Sequence, residues 1–214
     1  LLRTGEDFGF LGSLLVAVQQ PSGFAAWLAR DVDEAIRRLP AAGFLASADI
    51  SAERQLFSNL EIILGGSRFK GRLESLTGQG VRPSLLAELD GGALDLEGLA
   101  AFASLFVGES GQARLGERDV DLELKAGPVS LAGLTAGSVD TALRLRESGL
   151  EIDRLTVDDF AGASISATGA LEDLDGARTG SLDASLVSPD LHPLLAELAA
   201  RYPQNAVASG LLAR

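Results

Sequence analysis

Over most of this chain apolar and polar residues alternate in short runs, and the runs are separated by Gly, Asp or Ser. Alternation places every second side chain on one face of a strand, so each run reads as a strand with one face buried. Residues 44–50, 55–64, 68–74 and 82–89 form a first succession of strands. A second comprises residues 119–126, 129–136, 138–146, 150–160, 163–171 and 180–187. The connections at Gly65-Gly66, Gly127-Pro128, Gly137 and Ser148-Gly149 are short enough for hairpins. Consecutive strands are therefore expected to be antiparallel neighbours in a meander. Residues 8–18 fit a strand and a short helix equally well.

The period changes at residues 24–39, where Phe24, Trp27, Leu28, Val32, Ile36 and Leu39 form one stripe of an amphipathic helix. Ser22 is placed as its N-cap, and Pro40 ends it because proline cannot continue the hydrogen-bond ladder. Two further helices are expected, at residues 94–106 and 191–200, each after a set of strands. Asp190 is the expected N-cap of the last, with Pro193 in its first turn. Residues 205–212 fit one more strand or a frayed end.

The two strand sets resemble one another. Residues 68–74 align with 164–172, and residues 84–89 with 181–186, at an offset of about 97 residues. The organisation expected is an N-terminal segment with an amphipathic helix (1–43), a first meander plus helix (44–110), and a second, repeat-like meander plus helix (111–214). The fold class is α+β, mainly β.

Alternation also assigns faces. Val120, Leu122 and Leu124 share one side of their strand, with Asp119, Asp121 and Glu123 on the other. Leu143 and Leu145 are flanked by Arg144 and Arg146, and Leu150 and Ile152 alternate with Glu151 and Asp153. One wet and one apolar face per strand suits a half-open sheet. Such an apolar face either covers its own core or receives a ligand.

Composition narrows the choice. Of 214 residues 46% are hydrophobic but only 5% aromatic, so any core or groove is aliphatic. A net charge of −12 with no basic cluster argues against nucleic acid, whose phosphates call for Lys and Arg. Cysteine is absent, so the redox compartment is not marked. Methionine is absent even at position 1, which points to an excerpt of a longer protein. No apolar run approaches the roughly 18–20 residues of a membrane-spanning helix.

Candidate chemistry is sparse. His192 is the one histidine and stands at a predicted helix start, with no Cys or second His to share a metal. Asp119, Asp121 and Glu123 could gather a cation, but the same pattern is that of a solvated strand face. Asp173 and Asp175 suggest a calcium loop, yet the first and twelfth positions of that register are Leu171 and Leu182. Gly78 and Gly80 lack a third glycine, since Pro83 takes its place in a dinucleotide fingerprint. No catalytic, metal-binding or cofactor-binding residue is assigned.

Residues 150–198 carry a resemblance. Leu150, Ile152, Leu155 and Val157 alternate with polar residues, and the small-residue strand 161–171 is bounded by Gly162 and Gly169. The strand 181–186 follows, and then the helix opened by Leu191, His192, Pro193, Leu194 and Leu195. This succession resembles the AsmA-like family of bacterial envelope proteins, with its larger TamB relatives, and residues 44–106 resemble it more faintly. The resemblance implies a long antiparallel sheet curved into a U-shaped groove lined by aliphatic side chains. It further implies a periplasmic location within an inner-membrane-anchored protein and a role in phospholipid transport between membranes or outer-membrane homeostasis. On this basis Val120, Leu122, Leu124, Leu143, Leu145, Leu150, Ile152 and Ile165 are the groove candidates. The expected partner is phospholipid or another apolar ligand, with no nucleic acid, no cofactor and no enzymatic activity. The alternative is a scaffolding β module that binds protein partners through its sheet edges.

Overall fold

The computed structural model describes residues 2–3, 9–23, 37, 41–78, 80, 82–99, 118–131, 133–173 and 179–201. The protein is mostly β, built on a large mixed sheet that does not close into a barrel, with a few short helices. In chain order the strands are β1 (Leu2–Arg3), β2 (Gly9–Val18), β3 (Ala42–Ser51), β4 (Arg54–Leu64), β5 (Ser67–Leu76), β6 (Ser84–Gly91) and β7 (Leu94–Asp95). They continue with β8 (Asp119–Ala126), β9 (Val129–Leu131), β10 (Leu134–Ala136), β11 (Ser138–Arg146), β12 (Gly149–Phe160), β13 (Ala163–Glu172) and β14 (Thr179–Val187). Eleven strands lie side by side in the order β1-β2-β3-β4-β5-β6-β8-β11-β12-β13-β14, and β10-β9-β7 make a small second sheet.

Turn chemistry explains the hairpins. Ala161 and Gly162 both have positive φ (52° and 79°), the geometry of the two-residue turn whose twist matches the flanking β12 and β13. Gly65 (φ 62°) serves the β4–β5 turn and Glu147 (φ 48°) the β11–β12 turn. At the β3–β4 turn the Ser51 hydroxyl accepts a hydrogen bond from the Arg54 N–H at 3.1 Å, which satisfies a donor that the ladder leaves over.

All pairings in the large sheet are antiparallel except one: β6 and β8 run parallel, with Ala87 opposite Leu122 and Leu89 opposite Leu124. The sheet is thus two antiparallel meanders, β2 to β6 and β8 to β14, joined at a parallel seam. A parallel pair cannot be joined by a hairpin and needs a crossover. Each meander contributes five long strands to the large sheet. In each, the third strand carries an extra residue against both neighbours: β4 around Asn59, β12 around Asp153. The similar sequences 68–74 and 164–172 fall in β5 and β13, the fourth strand of each meander.

Several expectations need correction. The sheet starts before residue 44, because residues 9–18 are strand β2, paired along its length with β3. Residues 94–106 do not begin as a helix: Leu94 and Asp95 pair with Val129 and Ser130, and helix starts only at Leu96. Residues 129–136 are two strands, because Gly133 turns the chain at φ 79°. Gly127-Pro128 and Gly137 are therefore not hairpins of the meander. They are the points where the chain leaves and re-enters the large sheet, so that β9 and β10 form a side hairpin between β8 and β11. Residues 21–23 are already helical, which places Ser22 inside the first turn rather than at the cap. The rest of the expected helix at 24–39, apart from Arg37, lies outside the described residues, as do residues 205–212. The last helix, His192–Arg201, forms as expected, and the Asp190 carboxylate accepts a hydrogen bond from the His192 N–H at 2.9 Å.

The small sheet sits over one end of the large one. Leu94 of β7 and Val129 of β9 pack with Ala42, Leu64, Phe69, Leu124 and Ala126, the principal buried cluster. Leu96 and Leu99 lie against it. Every contributing strand of the large sheet enters this cluster at the same end, which the small sheet thereby caps.

Candidate ligand-binding face

Residues opposite one another in register point to the same side of a sheet, so the pairings trace a face strand by strand. Leu122 lies opposite Ala87 on β6 and Leu143 on β11, and Leu143 lies opposite Ile152. Val120 is flanked by Leu85 and Leu145, and Leu145 faces Leu150, which faces Leu171. Ile165 stands between Val157 and Leu186. All eight groove candidates therefore share one face. The extra residue in β12 preserves this arrangement, since it lets Ile152 and Leu155 point the same way across the bulge.

The same face runs through the first meander. Val16, Phe44, Ile62 and Phe69 form one row, and Phe57, Leu73 and Ala87 form another. An aliphatic strip thus extends from β2 to β14. Its capped end is core: Leu124 is only 9% exposed, and Leu122 packs against the buried cluster. Toward the other end Val120, Leu143, Leu145, Leu150 and Ile152 are half-buried, whereas Ile165, also half-buried, lies in the row of Ala126 and Val139 at the capped end. Leu124 is accordingly a core residue, and Val120, Leu143, Leu145, Leu150 and Ile152 lie on the part of the face away from the small sheet.

The opposite face is held by ions. Arg54 joins Asp49 and Glu74, and Arg72 also pairs with Glu74. Farther along, Arg146 pairs with Asp121 at 2.5 Å, Arg154 with Asp140 at 2.8 Å, and Arg144 grips Asp153 through two hydrogen bonds while reaching Glu151. The hydrogen bond from Arg54, aided by Arg72, holds the Glu74 carboxyl below the usual range, although partial burial opposes it. Arg144 lowers Asp153 in the same way, again chiefly by hydrogen bonding, and is itself raised in return. Two shallow depressions open on this face. One of about 300 Å3 is lined by Lys70, Glu88, Asp90, Glu123, Lys125 and Arg154. The other, of about 350 Å3, spans β12 to β14 beside Thr156, Thr168 and Asp183.

The candidate metal and catalytic residues do not converge. Asp119 pairs with Arg82 at 2.9 Å and Asp121 with Arg146, so the acidic row Asp119, Asp121 and Glu123 is largely answered by arginine. Among the described residues no group of three His, Cys, Asp or Glu side chains could hold a metal ion. The His192 side chain is 74% exposed and its neighbour is Asp190. No helix among the described residues is long and apolar enough to cross a membrane.

Two buried polar residues, Thr141 and Ser75, interrupt the apolar face and were not singled out from the sequence. Thr141 is 4% exposed, and its hydroxyl donates to the Arg154 carbonyl at 3.1 Å. Ser75 is 8% exposed, and its hydroxyl oxygen accepts from the Arg118 guanidinium at 3.3 Å. Only the register, which a single sequence does not display, reveals that Ser75 and Arg118 meet.

Fold and face together define an open β sheet with one aliphatic side and one ion-paired side. Comparison with protein-family models, with curated proteins and with solved structures finds no match to this chain.

Proposed function

We propose that this chain is a non-catalytic apolar-groove module that holds phospholipid or another apolar ligand against the aliphatic face of its sheet. The observation that carries the reading is the continuity of that face over the long strands, with half-buried residues from Val120 to Ile152 beyond the capped end. Acyl chains need no directional partner, only apolar surface from which water is removed. The AsmA-like pattern of residues 150–198 supports the same reading. With it comes the proposal of a periplasmic role, in an inner-membrane-anchored protein, in phospholipid transport or outer-membrane homeostasis.

The test is native mass spectrometry of protein incubated with vesicles of phosphatidylethanolamine and phosphatidylglycerol. Reproducible phospholipid adducts are expected, reduced about tenfold by Leu143→Asp or Ile152→Asp, in line with the cost of placing a charge on an apolar surface. A folded protein that takes up no lipid overturns the reading.

A second reading, partner binding through a sheet edge, is favoured by β14. Every residue of this edge strand is exposed, including Leu182 (50%), Leu186 (47%) and Val187 (67%). Neither Lys nor Pro interrupts it, although these residues commonly protect such edges. Sedimentation that shifts with concentration, and reverts in Val187→Lys, would support that reading over the first.

A further inference from the structure

The end of the apolar face away from the small sheet carries a polar group that the lipid reading does not by itself require. In β8 the apolar column is Val120, Leu122, Leu124 and Ala126, and the same alternation places Arg118 on that side just before the strand. The pairing of β8 with β6 already holds there, since the Asp119 N–H donates to the Pro83 carbonyl at 2.9 Å. From this position the Arg118 guanidinium reaches past β6 to the Ser75 hydroxyl of β5. Ser75 lies opposite Leu85 on one side and Gln55 on the other. Gln55, Ser75 and Arg118 thus form a polar rim across the mouth of an otherwise aliphatic surface.

Arg118 differs from most cations of the sheet. Arg54, Arg68, Arg72, Arg82, Lys125, Arg144, Arg146 and Arg154 each pair with a carboxylate, whereas among the described residues Arg118 has only the neutral Ser75 hydroxyl. In a chain of net charge −12, a partly buried guanidinium whose partner among the described residues is a neutral hydroxyl keeps donors and charge suited to an anion.

We infer that Arg118, with Ser75 and Gln55, forms a headgroup subsite for an anionic phospholipid, whose phosphate sits at the end away from the small sheet while its acyl chains lie across the half-buried apolar residues from Val120 to Ile152. This rests on the lipid-face reading above and adds the ligand's charge and direction. Arg118 supplies two N–H donors in a fork that matches two phosphate oxygens, and Ser75 holds the fork in place.

Isothermal titration with a matched pair of single-tailed probes, dodecyl phosphate and dodecanol, tests it. The wild-type protein is expected to bind dodecyl phosphate about tenfold more tightly, as a charge-assisted hydrogen bond contributes. Arg118→Gln should abolish that preference while leaving dodecanol affinity unchanged, and Arg118→Lys should retain part of it. A preference that survives Arg118→Gln overturns the subsite. Inorganic phosphate binding as tightly as dodecyl phosphate overturns the lipid source and assigns Arg118 to a free anion. Failure of both probes to bind the wild type sinks the apolar-face reading itself. Should Arg118→Gln not fold, the wild-type preference decides: it must exist at low salt and shrink at 1 M salt, where charges are screened beyond about 3 Å. A preference absent at low salt, or unchanged at 1 M, refutes the proposal.

Discussion

Glu88 of β6 stands directly opposite Glu123 of β8, so the one parallel junction of the sheet brings two like charges face to face. Cross-strand neighbours only partly compensate: Glu88 lies opposite Arg72 on its other side, but Glu123 lies opposite Ala142. Like charges in register destabilise a pair by roughly 0.2–1 kcal/mol. Glu123→Gln is therefore expected to raise the urea midpoint by an amount within that range. The gain should fade in 1 M salt, where the repulsion is screened. An unchanged or lowered midpoint at low salt would contradict the like-charge account.

Glu74 gives the polar face a pH signature. Its native pKa lies below the ordinary value because Arg54 and Arg72 hold the carboxylate. A lowered native pKa means a contribution that is complete above the unfolded value, about 4.3, and that vanishes as pH falls through the lowered native value. Glu74→Gln should cost about 1 kcal/mol at pH 7, and its stability curve should merge with that of the wild type in acid. Parallel curves down to the lowest pH that preserves the fold would show that the arginines do not depend on this charge.

Phe69 anchors the capped end. It is 2% exposed within the cluster that joins the small sheet to the large one. Phe69→Ala is expected to cost about 3–5 kcal/mol, the sum of lost transfer energy and the cavity left behind. Thermal or urea unfolding measures this directly. A cost below 1 kcal/mol would show that the two sheets are not joined through this side chain.

Gly71 permits the close approach of β5 and β6. A Cβ built there would stand 1.8 Å from the Glu88 carbonyl oxygen, which is backbone and cannot rotate aside. Gly71→Ala should destabilise by at least the roughly 1–3 kcal/mol typical of overpacking. Faster amide exchange should be confined to β5 and β6, and uniform exchange would place the effect elsewhere.

Strands and faces were legible in the sequence because alternation is a local property. Leu143 and Leu145 between Arg144 and Arg146 can satisfy water on one side only as a strand, and the structure places them so. What escaped was decided by distant partners. The apolar run beginning at Leu94 fits helix or strand by composition, and its pairing with Val129 fixes the first two residues as strand. The parallel seam was invisible because β6 and β8 are separated in sequence by a crossover, which hairpin logic does not cover. Arg118 looked like one polar residue among many until register set it beside Ser75.

The parallel seam also determines how such a sheet grows. Five antiparallel strands end in the direction in which they began, and the crossover hands that direction on to β8. The second block consequently follows the first by translation rather than by reflection, like one tile laid after another. Aliphatic surface stays on the same side from tile to tile. The width of the strip is then a count of blocks, which duplication of a gene segment could lengthen without redesigning a single contact inside a block.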